Sequence, residues 1–248
     1  MSVSISELEV RYTKAREIFH ALGPVSLEIH PGEFVSILGP SGCGKSTLAK
    51  VLTGMITNFT GQFKISKDVK TISTVFQDYG VFPWKTALEN VAFPLREQGL
   101  SSKDARLRAT EWLERLRIDN FAHSYPHQLS GGMKQRLSIA RALATEPEFL
   151  ILDEPLAAID TQLREVLQEE ILALHQSGNV TVLQFTHNYD EAILLSDRVL
   201  LMSPSPATIV KEIVIPFDRP RNGDLREHSD FSLLRDELRQ ELRKGYQR

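Results

Sequence analysis

Nine consecutive residues, Gly39-Pro40-Ser41-Gly42-Cys43-Gly44-Lys45-Ser46-Thr47, carry the plainest chemistry in this sequence. Glycines at 39, 42 and 44 let the backbone turn its N–H groups toward an anion, and a helix starting near Lys45 adds the positive end of its dipole. Lys45 supplies a mobile charge for the β and γ phosphates of a nucleotide. The Ser46 hydroxyl is an oxygen donor suited to Mg²⁺. The spacing fits G-x-x-x-x-G-K-[ST] in full, so the stretch from Gly39 to Thr47 is expected to cradle nucleotide phosphates. Cys43 reads as a small filler within it, because no motif pairs the thiol with a base.

Asp153 and Glu154 form a second centre. They follow the apolar run Phe149-Leu150-Ile151-Leu152 and precede Pro155. Two carboxylates at the carboxyl end of a buried strand are costly unless they meet a cation or a functional water. Asp153 is expected to hold Mg²⁺ through a water, and Glu154 to polarise the attacking water, a contribution of about 10²- to 10⁴-fold in rate. Gln77 and His187 also follow strand-like runs, at the edge where α/β proteins bind ligands. Gln77 can reach a metal ion or a water, and His187 can donate to a γ-phosphate oxygen. Ser130, Gly131 and Gly132 open a long helix, with Ser130 as its N-cap, and make a second anion-seeking helix start. Tyr12, and secondarily Phe19, can stack on a base.

These residues need elements to hold them. Phe34 to Leu38 predicts a buried parallel strand before the glycine loop; Leu48, Val51 and Leu52 predict a helix after it that stops at Gly54. Val3 to Tyr12 reads as an edge strand leading into a charged turn, and Val25 to Ile29 as a half-buried strand. Gly61 to Ile65, Ile72 to Phe76, Phe149 to Leu152 and Val180 to Phe185 predict four more strands. Between Lys85 and Ala144 the pattern is helical, with a Ser101–Asp104 cap and a stripe of Ala105, Ala109, Trp112, Leu113 and Leu116. Arg198 to Met202 and Ala207 to Pro216 form a hairpin, Asp218 to Gly223 an exposed linker, and Phe231, Leu234, Leu238 and Leu242 a helical stripe packed on its own domain.

The bulk properties bound the function. The chain has 248 residues, a net charge of −3, 25% charged residues and one cysteine. No basic field points to nucleic acid, and one cysteine excludes an internal disulfide framework and suits a reducing compartment. The first residues lack a signal-peptide layout, and no apolar run approaches the ~20 residues that span a bilayer, so membrane attachment is expected through a partner.

Gly39 to Thr47, the stretch Leu129-Ser130-Gly131-Gly132-Met133-Lys134-Gln135-Arg136, Leu150 to Pro155, and His187 occur in this order across nearly the whole chain. Together they closely resemble the ATPase subunit of ABC transporters, and the Leu-Ser-Gly-Gly signature separates that family from other P-loop ATPases. The resemblance implies ATP and Mg²⁺ as ligands and a head-to-tail dimer, with Ser130, Gly131 and Gly132 of one copy closing over ATP held by Lys45 of the other. It assigns Gln77 to Mg²⁺ and to sensing a transmembrane partner, Asp160 to cross-dimer contact, Glu154 to catalysis, His187 to the γ-phosphate and Tyr12 to the base. The implied fold is α/β, a P-loop NTPase fold of the ABC ATPase type, with a mostly parallel central sheet flanked by helices. An N-terminal antiparallel β region and an inserted helical subdomain complete it. Residues 1–84 and 145–217 would form the RecA-like core with the antiparallel region, 85–144 the helical subdomain, and 218–248 a linker and an amphipathic helix.

Val75 to Asp78 with Val81 to Thr86, and the tail Phe217-Asp218-Arg219-Pro220-Arg221, look like the nitrate, sulfonate and taurine importer branch. Partners implied are permease subunits and, indirectly, a substrate-binding protein, at the cytoplasmic face of the inner membrane. The competing reading is a soluble ATPase of the same type acting on DNA, ribosomes or metal-cluster assembly. Against it, the chain lacks a coiled-coil insertion, a second cassette and a basic patch. Asn188 departs from the Asp that the family usually carries after the histidine.

Overall fold

The computed structural model describes residues 2–14, 17–157, 159–178 and 180–245. β1 (Val3–Lys14) and β2 (Glu17–Ile29) pair antiparallel, and in β2 buried Val25, Leu27 and Ile29 alternate with exposed Ser26 and Glu28. The expected charged turn falls on residues 15–16, which lie outside the described residues. β3 (Phe34–Leu38) is buried throughout and runs through the glycine loop into α1 (Lys45–Leu52), which ends at Thr53 and Gly54, the latter at φ 73°. Next come β4 (Thr60–Ile65), β5 (Ile72–Val75), α2 (Ala87–Glu97), α3 (Ser102–Arg115), α4 (Gly131–Ala144), β6 (Phe149–Asp153) and α5 (Thr161–Gly178). The chain closes with β7 (Thr181–Thr186), α6 (Tyr189–Leu195), the antiparallel pair β8 (Arg198–Met202) and β9 (Ile209–Val214), and α7 (Ser229–Gly245).

Two compact units emerge, Met1–Lys70 with Asn179–Arg248, and Thr71–Gly178. In the first, β1 lies between β2 and β4, so it is a central strand and the edge-strand expectation is corrected. The reason is the close approach of β4. Gly61, at φ 87°, lets β4 press on the β1 irregularity at Glu7, whose carbonyl oxygen would stand 2.2 Å from a Cβ at 61. β3 pairs parallel with both β7 and β8. The stripe Phe231, Leu234, Leu238 and Leu242 of α7 is buried against Ala192 and Ile193 of α6, Val199 and Leu201 of β8, and Ile213, as its amphipathic spacing requires.

Of the expected linker, Asp218, Pro220, Asn222 and Gly223 are exposed, but its two arginines turn inward. Arg221 is 7% exposed and donates to the carbonyls of Phe217, Ile193 and Ser196, while Arg219 donates to Leu195 O and pairs with Asp197. Burial, and then the charge of Arg219, draws the Arg221 pKa down to about 10. The orphan carbonyls at the end of α6 thereby gain donors.

In the second unit, β5 pairs parallel with β6, whose five residues are all buried. Thr86, Ser101 and Ser130 each accept the N–H three residues on and so start α2, α3 and α4. Ala105, Ala109, Trp112 and Leu113 form the buried stripe of α3, with Leu116 buried just beyond it.

Candidate functional site

Each unit carries its own group of expected site residues. In the first, the register of β3 with β7 sets Leu38 beside Thr186, and Gly39 N donates to Thr186 O at 3.4 Å. The glycine loop and His187 therefore leave adjacent strand ends together. Gly44 is at φ 123°, and a Cβ there would stand 2.8 Å from Ala21 O of β2, so glycine is needed for both conformation and space. Gly39 is confined by a side chain: a Cβ would stand 2.9 Å from Cys43 Sγ. Gly42 is at φ 77° with nothing within 4 Å. Cys43 is buried, as a filler should be.

Lys45 is 4% exposed, and its Nζ donates to Gly39 O at 2.8 Å and Pro40 O at 2.9 Å. The ammonium is thus folded onto the loop it would share with phosphate. Ser41 is exposed, while Pro40, Ser46 and Thr47 are half-buried. His187 is exposed, directly before Asn188, whose side chain accepts from Asp190 N and Glu191 N and starts α6. Tyr12 is 40% exposed and sits opposite Phe19 in the β1–β2 register, so the two rings share one face of the hairpin. No described contact joins Tyr12 to the glycine loop.

In the second unit, Asp153 ends β6 at 3% exposure, and Glu154 follows in a left-handed conformation at φ 50°. That conformation is strained for a residue with a side chain, and such strain concentrates where geometry serves function. Gln135 of α4, 2% exposed, donates to Pro155 O at 2.7 Å and so ties the segment after the carboxylates to the signature helix. Sequence reasoning quoted Gln135 but assigned it no role. The available signal was a polar side chain on the buried face of α4, in line with Ser138, Ile139 and Ala142.

Gln77 is exposed on the turn after β5. Ser130, Gly131 and Gly132 start α4, with Ser130 Oγ accepting from Met133 N at 3.3 Å. Asp160 is exposed, and its Oδ1 accepts from Leu163 N at 3.1 Å, which caps α5. Ala158 lies outside the described residues.

The family described as ABC transporter has a sequence profile that matches residues 22–157. The chain is 38% identical over 250 residues to the aliphatic sulfonates import ATP-binding protein SsuB of Bacillus thuringiensis subsp. konkukian, covering 99% of this chain and 97% of that protein. It is 41% identical over 226 residues to the nitrate import ATP-binding protein NrtD of Synechococcus elongatus, covering 88% of this chain and 82% of that one. Among solved structures it resembles a dimeric ATP-binding cassette in a post-hydrolysis state bound to ADP and Pi. The TM-score is 0.79, with 32% identity over 87% of this chain and all of that one.

Proposed function

Because the chain belongs to the ABC transporter family, we propose that two copies of it enclose two ATP molecules head to tail and hydrolyse them to power import through a separate permease. The assignment as a transport ATPase of the import type is carried by end-to-end similarity to an import ATP-binding protein, together with the glycine loop that only glycine at position 44 permits.

In this reading Lys45 exchanges the Gly39 and Pro40 carbonyls for phosphate oxygens, and the loop N–H groups with the α1 dipole hold the rest of the chain of phosphates. Ser46, Asp153 and Gln77 are the sparse oxygen donors that fit Mg²⁺, which keeps most of its shell for phosphate and water. Among the described residues no three His, Cys, Asp or Glu side chains cluster. Mg²⁺, when bound, neutralises charge developing on the phosphates. Glu154 accepts a proton from the attacking water, and His187 donates to the γ-phosphate.

Two helix starts that both favour phosphate, at α1 and α4, cannot readily share one nucleotide in one fold. Twofold pairing gives each ATP one of each, so Ser130, Gly131 and Gly132 serve the partner's nucleotide, and Asp160 lies at the same seam. Tyr12 takes the base. No helix among the described residues is long and apolar enough to cross a membrane. The chain would then sit peripherally on permease subunits at the cytoplasmic face of the inner membrane, with a substrate-binding protein delivering the solute. Similarity to an aliphatic sulfonates import protein and a nitrate import protein supports a small solute such as a sulfonate, nitrate or taurine as the cargo. No feature of the chain favours a soluble role on DNA, ribosomes or metal clusters.

Glu154→Gln tests the reading. With Mg-ATP the variant should form a stable dimer by light scattering, holding two ATP, while turnover falls by about 100-fold or more. Hydrolysis near the wild-type rate, or a chain that stays monomeric when saturated with ATP, would overturn it.

A further inference from the structure

The segment between Gln77 and α2 is fastened to the helices around it. Arg141, inside α4, donates from Nη1 to Gly80 O at 2.7 Å and lays its guanidinium over the Phe82 ring, 5.3 Å from the centroid. Burial lowers the pKa of Arg141, so this carbonyl and this π face replace much of its water. Asn90 of α2 is fully buried; it accepts from Phe82 N at 2.7 Å and donates to the carbonyls of Phe82, Lys85 and Thr86 at 3.2, 3.0 and 2.9 Å. Phe82 meets Phe93 of α2 edge-on at 5.4 Å, and Lys85 Nζ sits 4.5 Å from the Phe93 centroid.

The segment also reaches the start of α4. Tyr79, left-handed at φ 67°, carries its hydroxyl to 3.1 Å from where a Cβ on Gly131 would stand. One large side chain of the segment is left outward: Trp84 is 70% exposed, its ring 5.7 Å from that of Phe82.

We propose that Arg141 is a positioning residue that makes residues 79–86 and the signature helix α4 move as one body. Closure of the Ser130–Gly132 turn on a nucleotide then displaces Trp84, and a load applied at Trp84 reaches that turn. The inference rests on the paired-ATP reading above. Asn90 holds the segment to α2 and Arg141 fixes Gly80 and Phe82 to α4; without Arg141 only the approach of Tyr79 to Gly131 is left of those α4 contacts, so more of a displacement of α4 is absorbed in the loop. A coupling of this kind needs a link that is rigid in both states, and a planar guanidinium bonded to a carbonyl and held over a ring provides one.

The chain has two tryptophans, Trp84 and Trp112, which makes the coupling readable by fluorescence. In a Glu154→Gln background, Trp112→Phe leaves Trp84 as the reporter. Should that replacement not fold, the difference between the Glu154→Gln protein and its Trp84→Phe counterpart isolates the same signal. Mg-ATP is expected to shift the Trp84 emission as the dimer forms. Arg141→Met, which keeps the aliphatic stem, should leave the ATP-dependent dimer intact by light scattering while cutting the Trp84 response at least about twofold, and Arg141→Lys should not restore it. An undiminished response in Arg141→Met, or a parent dimer that forms with no Trp84 response, overturns the inference. A parent that never dimerises sinks the pairing and the inference together, and light scattering separates that result from the other two.

Discussion

One added methyl group separates the loop glycines by role. At Gly44 a Cβ meets the Ala21 carbonyl at 2.8 Å in addition to the left-handed strain, whereas at Gly42 the space is open. Gly42→Ala should therefore cost about 1–2 kcal/mol of backbone strain. Gly44→Ala must also move β2 or the loop, and should weaken ATP affinity by more than about tenfold as well as lowering the melting temperature. Titration calorimetry on both variants decides it: equal effects would mean that the close approach of Ala21 does not matter. The nine loop residues, Asp153, Glu154 and His187 could be singled out as candidates because the patterns that mark them are written in neighbouring residues. Gln135 and Arg141 were not, since their acceptors, Pro155 O and Gly80 O, lie 20 and 61 residues away.

Elements were legible where one period dominated. β3, β6 and β7 are uninterrupted buried runs, and the caps at Ser101 and Ser130 appear where expected. The central place of β1 was not, because it depends on β4, which pairs Val3 with Ile65. The joining of α2 to α3 is also tertiary. Glu89, in the first turn of α2, bonds Arg96 at 2.8 Å and Arg106 of α3 at 3.0 Å. Burial pushes the Glu89 pKa up, but the hydrogen bonds and charges of Arg96 and Arg106 outweigh it and hold the carboxyl below its usual value. A lowered folded pKa adds stability above the unfolded carboxylate's value and loses it as pH falls through the folded one. Glu89→Gln should thus cost about 0.5–1 kcal/mol near neutral pH and nothing once the carboxylate is protonated in acid. Urea unfolding at both pH values measures it, and a pH-independent difference would mean that packing, not charge, is lost.

For the whole molecule, a net charge of −3 and an import-type ATPase assignment point the same way. Added DNA or RNA should leave ATP turnover unchanged, since a net charge of −3 gives the chain no overall attraction for phosphates; stimulation of several-fold would favour the soluble alternative. By itself the sequence determined the family, and it singled out the glycine loop and the carboxylate pair as candidates, because motif chemistry depends on residue types a few positions apart. Only the tertiary structure decided that Arg221 is buried within the linker before α7, that β1 is central, and that α4 grips the segment bearing Trp84. Each of those rests on a donor meeting an acceptor, or a glycine meeting a carbonyl, from a distant part of the chain, and packing alone selects such meetings.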